Sequence, residues 1–330
     1  MPSAGAKGKL LKVAVVGAGI AGLSAARALH GRGHIVRVFD RAQTVGGRCA
    51  TRVMHALELP RGLSGEVAFD HGAQYFTVRD DRFGGVAAEW ERDRVIAKWT
   101  GRIVAFDGGG WDDLEADTRR YVGTPSMKAI ATQLANGLDI VLGEAVESLT
   151  PLLAAFDHAV VALPADVTRI LVAEVPPLAT QVTVAMTSCW TVMAAFEERV
   201  PARFDAGFVT NSPLRWIARN SSKPKRNWKI DTWVLHASSL WSDAHPNDPP
   251  EDVGSFLMEA FDDLIPAGLP RAFHASVHRW RYASADPALA VGVIHDAESR
   301  ITLCGDWCKG SRIEDAYLSG LEAAALMPEA

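Results

Sequence analysis

The chain has 330 residues, of which 48% are hydrophobic and 22% are charged, and this composition predicts a folded protein with a large buried core. Its formal net charge of −5 excludes the broad basic face with which proteins bind nucleic acid, and no apolar stretch is long enough to predict a membrane span. The length predicts about two domains.

The cysteines and the N-terminal segment predict a reducing, cytoplasmic environment. Cys49, Cys189, Cys304 and Cys308 are too few and too scattered for a disulfide framework in a chain of this length. They also lack the C-x-x-C spacing of redox and metal sites, so we expect structural roles for them and no metal site. Residues 1–12 are polar or small, which leaves no room for the apolar region of a signal peptide.

The chain begins with a strand, a glycine-rich turn and a helix, a pattern typical of dinucleotide binding. The apolar strand covers residues 13–16, and the following residues that we expect to contact a cofactor are Gly17, Ala18, Gly19, Ile20, Ala21 and Gly22. Gly17 allows the tight turn, Gly19 allows the backbone to approach a pyrophosphate, and Gly22 allows the helix to pack closely on the strand. The free N–H groups at the helix start favour an anion, so the pyrophosphate is expected there.

A second apolar strand, at residues 34–40, ends in an acidic residue. The carboxylate of Asp40 is placed to accept hydrogen bonds from a ribose 2′-hydroxyl, and it would repel a 2′-phosphate. The neighbouring Arg41 and the later Gly47 and Arg48 extend the predicted cofactor contact. Paired glycines permit close backbone approach, and an arginine offers forked donors to phosphate oxygens.

The middle of the chain is predicted to be mostly antiparallel sheet. Stretches rich in Val, Trp, Thr and Ile predict its strands, at residues 187–196, 216–219, 231–238 and 274–282. Proline, serine and asparagine predict loops at residues 221–228 and 242–252, and helices are expected to be scarce. The basic run from Lys223 to Arg226 falls in the first of these loops, and we interpret it as a solvated surface.

Two further segments are predicted to return the chain to the nucleotide-binding sheet. Residues 157–164 are typical of a buried parallel strand, which we expect to pair with the first strand. Near the C-terminal end, the block of residues 301–308 precedes a helix that begins near Ile313. The nucleotide-binding domain is therefore predicted to be discontinuous.

The spacing from Asp40 to Gly46, Gly47 and Arg48, together with the block of residues 301–316, is similar to that of the monoamine oxidase and polyamine oxidase superfamily of FAD proteins. The resemblance implies an α/β fold with a discontinuous Rossmann-like FAD-binding domain. A second, mostly antiparallel β-sheet domain would hold the substrate, as in amine oxidases and p-hydroxybenzoate hydroxylase. The expected FAD-binding domain combines residues 1–80, 120–168 and 285–330, and the expected substrate domain combines residues 81–119 and 169–284.

The same resemblance implies further contacts with FAD. Gly305 and Asp306 are expected near its ribityl or pyrophosphate part, and the backbone of Val146 near adenine. The helix that begins near Ile313 would direct its positive end at the flavin N1/O2 edge and stabilise the negative charge of reduced flavin. Asp315 stands where the superfamily often has glycine, and its carboxylate would oppose that charge unless it turns away.

A narrower resemblance, to the renalase family and its bacterial members in particular, is carried by residues 69–77, 216–220, 231–237, 278–282 and 304–308. It implies that non-covalently bound FAD oxidises dihydropyridine isomers of NAD(P)H, reduced at ring position 2 or 6, to NAD(P)⁺. O2 would then reoxidise the flavin and give H2O2. Loss of hydride from such a ring gives an aromatic pyridinium, so the reaction needs positioning of the substrate and no general base.

Four side chains are candidates for substrate contact beside the flavin: Gln74, Arg219, His236 and Trp280. We expect the amide of Gln74 to meet flavin N5 or the substrate, and Arg219 to hold a phosphate or amide of the substrate. His236 is expected to donate a hydrogen bond to the carboxamide or ribose, and Trp280, with Tyr75, to form a ring-packing wall. Each also has a structural alternative, as a turn residue, a surface charge, a satisfied histidine or a core indole.

Two other functions are compatible with these motifs. An amine oxidase would need an aromatic cage beside the flavin, and the aromatic residues of this chain cannot be placed from sequence. A non-catalytic protein with an FAD-binding fold, such as the GDP-dissociation inhibitors, would be expected to have degraded nucleotide motifs. The glycines and acids of those motifs are all present in this chain.

Overall fold

The computed structural model of the protein describes residues 9–54, 59–114 and 118–329. Its strands, in chain order, are β1 (Lys12–Val16), β2 (Ile35–Asp40), β3 (Arg52–Met54), β4 (Val67–Phe69), β5 (Ile96–Lys98), β6 (Ile103–Phe106), β7 (Trp111–Asp113), β8 (Tyr121–Gly123), β9 (Asp139–Leu142), β10 (His158–Val161), β11 (Thr187–Phe196), β12 (Ala206–Val209), β13 (Leu214–Arg219), β14 (Asp231–Ala237), β15 (Ala272–Ser284), β16 (Ile294–Asp296) and β17 (Ile301–Leu303).

Helices connect many of these strands. They are α1 (Ile20–Gly31), α2 (Asp81–Arg92), α3 (Lys128–Ala135), α4 (Thr150–Ala155), α5 (Ala165–Leu171), α6 (Pro176–Ala179), α7 (Ser239–Ala244), α8 (Pro250–Asp262) and α9 (Ile313–Ala325). Short 3-10 turns lie at Gly47–Cys49, Asn220–Ser222 and Asp306–Cys308. In the part of the chain that the structure describes, no helix is both long and apolar enough to cross a membrane.

A six-stranded sheet carries the glycine-rich turn at its centre. Its strand order is β16-β17-β10-β1-β2-β9, and β1 pairs in parallel with β2 on one side and β10 on the other. This confirms the predicted return of the chain to β1. Helix α9 packs directly on α1. Their approach is so close that a Cβ at Gly320 would lie only 2.2 Å from the backbone oxygen of Ala21. The two ends of the described chain therefore meet beside the turn.

A seven-stranded sheet, in the order β15-β11-β14-β13-β12-β6-β7, forms the second layer. Its pairings are antiparallel except for the parallel pair β6–β12. Alternation along β14 places Trp233 and Leu235 in the core beneath α8, whereas Val234 packs with Val67 and Phe69 of the β3–β4 pair. His236 lies on the same face as Val234, which is the face directed toward the glycine-rich half of the molecule.

The connection between β14 and β15 differs from the sequence prediction. Residues 242–252 are predicted to be a loop, but α7 extends through Ala244 and α8 begins at Pro250. Pro250 occupies the first turn of α8, where the missing N–H group has no helical partner to lose and the fixed φ suits a helix. The side chain of Ser238 accepts a hydrogen bond from the N–H of Trp241 and caps α7.

The division of the chain into two domains stays a prediction. All strands of the six-stranded sheet fall in the ranges expected for the FAD-binding domain, and those of the seven-stranded sheet in the ranges expected for the substrate domain. Helix α2 falls in a range expected for the substrate domain, but its Phe83 packs on Tyr317 of α9 with ring centroids 5.3 Å apart. Residues near 83 therefore pack with the nucleotide-binding layer.

Candidate functional site

The glycine-rich turn has the shape of a pyrophosphate cradle. Gly17 has a positive φ of 111°, and a Cβ there would lie 2.6 Å from the oxygen of Ala162. A Cβ at Gly22 would lie 1.9 Å from the oxygen of Gly17, so both positions require glycine. A Cβ at Gly19 would meet no described atom within 4 Å, which leaves open space at the start of α1. These residues fit the diphosphate of FAD.

Asp40 lies at the end of β2, where a ribose is expected. Its Oδ2 accepts a hydrogen bond from the N–H of Ala18 at 2.6 Å, and its Oδ1 accepts one from the N–H of Ala42 at 2.8 Å. These bonds orient the carboxylate and leave each oxygen with further acceptor capacity for hydroxyl groups. Arg41 beside it is exposed, and Val146 is half-buried in the segment that follows β9.

The second pair of glycines packs on the first turn. The N–H of Gly46 donates to the oxygen of Ala18 at 2.9 Å, and a Cβ at Gly47 would lie 3.6 Å from the Cα of Gly19. Gly47 has a positive φ of 50°, a conformation that favours glycine. The two motifs thus form one continuous backbone surface along the expected path of the cofactor.

Arg48 and Asp306 pair with each other. Nη1 and Nη2 of Arg48 donate to the two carboxylate oxygens of Asp306 at 2.7 and 2.6 Å, and Nη1 also donates to the oxygen of Ala283. Both residues are predicted cofactor contacts, and the structure brings them together from opposite ends of the chain. The arginine side chain remains 32% exposed, so donors of its fork remain accessible to a phosphate.

The start of α9 explains the unusual Asp315. Its Oδ2 accepts a hydrogen bond from the N–H of Arg312 at 3.2 Å, so the carboxylate turns back to cap the helix. Burial raises the pKa of Asp315, and the Arg312 guanidinium opposes that change. Oε1 of Glu314 accepts hydrogen bonds from the N–H groups of Arg79 and Asp80 at 2.7 and 2.8 Å. Both acids are therefore held by backbone donors.

The turn of residues 70–74 follows the second glycine pair in space. The N–H of Ala73 donates to the oxygen of Arg48 at 2.8 Å, and a Cβ at Gly72 would lie only 2.1 Å from that oxygen. Nε2 of His236 and Nε1 of Trp280 each lie 3.0 Å from the carbonyl oxygen of His71. The structure thus brings two of the four predicted catalytic residues to one backbone oxygen beside the cofactor path.

The histidines around this oxygen are neutral near pH 7. Burial lowers the pKa of His71 to about 3 and that of His236 to about 4, and it lowers the pKa of His278 to about 4 with help from Arg52. Because Nε2 of His236 faces a carbonyl oxygen, it must carry the proton, which leaves Nδ1 as an acceptor. The ring of His71 stacks on Trp280 with centroids 4.9 Å apart.

A buried charge cluster lies directly behind this turn. Oδ2 of Asp70 contacts Nζ of Lys223 at 3.3 Å and Nη2 of Arg226 at 2.6 Å, and all three side chains are almost fully buried. Burial tends to raise the pKa of Asp70, but Lys223 and Arg226 lower it to about 2. Burial lowers the pKa of Lys223 to about 8, although Asp70 opposes this.

This cluster corrects the interpretation of residues 223–226 as a solvated surface. Lys223 and Arg226 enter the interior because the carboxylate of Asp70, at the end of buried strand β4, needs cationic partners. Sequence reasoning did not identify Asp70 as part of the site. The available signal was an acid placed at the end of an apolar strand and next to a glycine turn.

Gln74 is held inside the same turn. Its Nε2 donates to the oxygens of Asp70 and Gly72, the latter at 3.1 Å, and its Oε1 accepts from Nζ of Lys223 at 3.1 Å. Both amide hydrogens are therefore used within the turn. In this structure Gln74 shapes the backbone beside the cofactor path, and the predicted amide contact with flavin N5 would require these bonds to break.

Arg219 lies away from the other three candidates. It is fully buried, its Nη1 pairs with Oδ2 of Asp231 at 2.7 Å, and its Nη2 donates to the oxygen of Val200 at 3.0 Å. Its guanidinium lies 4.8 Å from the ring centroid of Trp233, in the core beneath α8. This placement corrects the expected substrate contact, because the donors are used by an acid on the neighbouring strand and by a core carbonyl.

Two family models match the chain: an NAD(P)-binding Rossmann-like domain over residues 15–82, and flavin containing amine oxidoreductase over residues 110–328. Solved structures resemble it over nearly its whole length. A putative protoporphyrinogen oxidase from Exiguobacterium sp. 255-15 has a TM-score of 0.74 and 10% identity, with 96% of this chain and 98% of that chain covered.

An oxidoreductase from Methanosarcina mazei has a TM-score of 0.68 and 13% identity, with 95% of this chain and 99% of that chain covered. Putrescine oxidase bound to putrescine has a TM-score of 0.65 and 13% identity, with 96% and 98% covered. At these identities the likeness shows a shared fold, which is the predicted α/β fold with a Rossmann-like nucleotide-binding part.

Proposed function

The chain belongs to the flavin-containing amine oxidoreductase family and is an FAD-dependent oxidoreductase, and from this premise we propose that it oxidises dihydropyridine isomers of NAD(P)H as renalases do. The substrates would be the 2- and 6-dihydro forms, and the product NAD(P)⁺. When bound, FAD accepts a hydride at N5 and is reoxidised by O2, which gives H2O2. Cys304 and Cys308 are fully buried, which agrees with non-covalent binding of the cofactor.

The observation that carries this proposal is the charge around the turn of residues 70–74. The histidines near the carbonyl oxygen of His71 are neutral, and the carboxylate of Asp70 is already paired with two cations. A protonated amine would find repulsion from Lys223 and Arg226 there, and it would need to lose a proton before giving up a hydride. A dihydropyridine is uncharged in its ring and needs no base.

His236 and Trp280 would position such a ring. With Nε2 donating to the oxygen of His71, the Nδ1 acceptor of His236 suits the NH2 group of a carboxamide. This changes the expected role of His236 from donor to acceptor. The indole N–H of Trp280 also donates to the oxygen of His71, so Trp280 would contact the substrate through the face of its ring.

Tyr75 would form part of the opposite wall. Its ring packs on Trp216 with centroids 5.5 Å apart, and the guanidinium of Arg120 lies 5.4 Å from its centroid. These contacts hold the phenol ring in place before any substrate enters. The proposed substrate site therefore combines preorganised rings with neutral hydrogen-bonding groups.

The test is anaerobic stopped-flow absorbance of the FAD-loaded protein mixed with NADH preparations that contain the 2- and 6-dihydro isomers. Rapid bleaching of the flavin with formation of NAD⁺ is expected, and 4-dihydro NADH serves as the matched control. Putrescine and other amines are mixed in parallel. Bleaching by an amine alone would establish the amine oxidase alternative, and bleaching by none of them would overturn the proposal and leave only the FAD-binding fold.

A further inference from the structure

A cavity of about 530 Å³ lies beside the charge cluster, and Arg226 of that cluster forms part of its wall. Its wall includes four basic side chains, Lys128, Lys225, Arg226 and Lys229, and the acid Glu66. The chain as a whole has a net charge of −5, so this basic cavity is a local concentration of positive charge on an acidic protein. Such a surface attracts polyanions.

Arg226 connects the basic cavity to the buried charge cluster. Its Nη2 is bound by Asp70, and its Nη1 donates to the oxygens of Gly123 and Pro224. Its Nε lies buried with no hydrogen-bond partner among the described residues. Asp70 also has Lys223 as a partner, so one carboxylate faces two cations and the cluster beside the wall carries an excess positive charge.

An exposed tryptophan lies in the loop whose neighbouring residues form part of the wall of the basic cavity. Trp228 is 74% exposed, and its chain neighbours Asn227 and Lys229 both line the cavity. An indole left in water beside lysines is the combination with which proteins bind nucleotides, since the ring stacks on a base while the ammonium groups meet phosphates. The loop from Lys225 to Lys229 supplies both parts.

We propose that the basic cavity and Trp228 bind an adenosine diphosphate group, with the base on the indole and the phosphates at the exposed Lys225 and Lys229. The assignment of this group to the substrate rests on the proposed function, because the dihydropyridine nucleotides carry an adenosine diphosphate half. Arg226 then links the site of the phosphates to the turn beside the flavin. The site gives the enzyme a means to distinguish whole dinucleotides from free dihydropyridines.

The experiment titrates ADP into the FAD-saturated protein by calorimetry, so that the glycine-rich turn is already filled. We expect Lys225→Gln combined with Lys229→Gln to weaken ADP binding about tenfold, since two phosphate contacts are lost. Trp228→Ala should weaken ADP binding about tenfold but leave the binding of inorganic pyrophosphate unchanged, because only the base contact is removed. Trp228→Phe should restore most of it, and Lys9→Gln, a lysine outside the cavity, serves as the matched control.

Steady-state kinetics then assign the source of the group. If ADP raises KM for the dihydropyridine nucleotides and leaves kcat unchanged, the cavity holds the substrate's own diphosphate half. ADP binding that depends on the same residues without such competition supports the site and assigns it to a separate nucleotide. Absence of ADP binding, or binding that all these variants leave unchanged, overturns the proposal. The titration needs no turnover, so a failure of the proposed reaction would not be mistaken for a failure of this site.

Discussion

The two halves of the candidate site are built from different parts of the polypeptide. The phosphate half is backbone: Gly17, Gly19 and Gly22 at the start of α1, with Gly47 packed on them. The reacting half is assembled from side chains over long distances in sequence. The carbonyl oxygen of His71 joins side chains that lie 165 and 209 residues further along the chain.

This difference predicts how each half responds to substitution. In the phosphate half the room beside Gly19 is empty, so a new side chain there displaces the ligand and not the protein. In the reacting half buried charges balance one another, so removal of one partner leaves another uncompensated. We therefore expect loss of cofactor from changes in the first half and loss of stability from changes in the second.

The largest effect is expected for Asp70→Asn. It removes the carboxylate between Lys223 and Arg226 and leaves two buried cations, which should cost about 3–5 kcal/mol of unfolding free energy. Lys223→Met is the matched variant, because it retains the pair of Asp70 with Arg226 and should cost less. Urea denaturation followed by circular dichroism measures both. Equal stability of Asp70→Asn and the unchanged protein would contradict the role given to the cluster.

A comparison of two glycines tests the phosphate half. Gly22→Ala places a methyl group 1.9 Å from the oxygen of Gly17, so the backbone must move, at a cost of about 1–3 kcal/mol. A Cβ at position 19 meets no described atom within 4 Å, so Gly19→Val should leave the melting temperature of the FAD-free protein unchanged. It should nevertheless abolish FAD binding, because the side chain fills the expected pyrophosphate position. A Gly19→Val protein that purifies with its yellow colour would refute the assignment.

The same contrast explains what could be predicted from the sequence. The strands, the tight turn at Gly17, the close packing at Gly22 and the helix at Ile313 depend on neighbouring residues, and they are confirmed by the structure. Whether residues 223–226 are solvated depends on Asp70, which lies 153 residues away from Lys223. No local pattern carries that information. The prolines of residues 242–252 predict a loop, but Pro250 begins a helix in the structure.

The pairing of Arg48 with Asp306 belongs to the same class of long-range facts. Each residue is predicted separately as a cofactor contact from its own motif. Only the folded chain shows that their side chains form a forked ion pair at 2.6–2.7 Å. For Arg219 the sequence indicates a charged residue at the end of a strand, and only the structure shows that its charge is matched by Asp231 in the core.

A progressive loss of stability is expected on acidification, and three of the buried histidines whose lowered pKa values cause it lie in the reacting half, while His158 on strand β10 of the nucleotide-binding sheet is a further one. His71, His236 and His278 have pKa values of about 3, 4 and 4 in the folded protein, against 6.5 in the unfolded chain. As pH falls below 6.5, the unfolded chain takes up protons that the folded protein does not, so stability should fall progressively toward pH 4.

Urea midpoints measured at intervals between pH 7 and pH 4 test this expectation. His236→Gln removes one of these histidines and should make the decline less steep, while its amide retains a donor for the oxygen of His71. A decline as steep as in the unchanged protein would show that His236 does not contribute. Asp70, with a pKa of about 2, should begin to lose its contribution only below pH 4, so the two effects occupy different parts of the titration.

The smallest and most selective effect is expected for His236→Ala. The substitution removes one neutral hydrogen-bonding group from the reacting half, so flavin reduction by the dihydropyridine isomers should slow about tenfold. FAD content should stay unchanged. The hydrogen bond that orients the imidazole goes to the oxygen of His71, and His71 is not part of the phosphate half. Single-turnover stopped-flow measures the rate, and His236→Gln separates loss of the bond to His71 from loss of the Nδ1 acceptor. Unchanged reduction by the alanine variant would remove His236 from the site and leave the ring faces of Trp280 and Tyr75 as the groups that position the substrate.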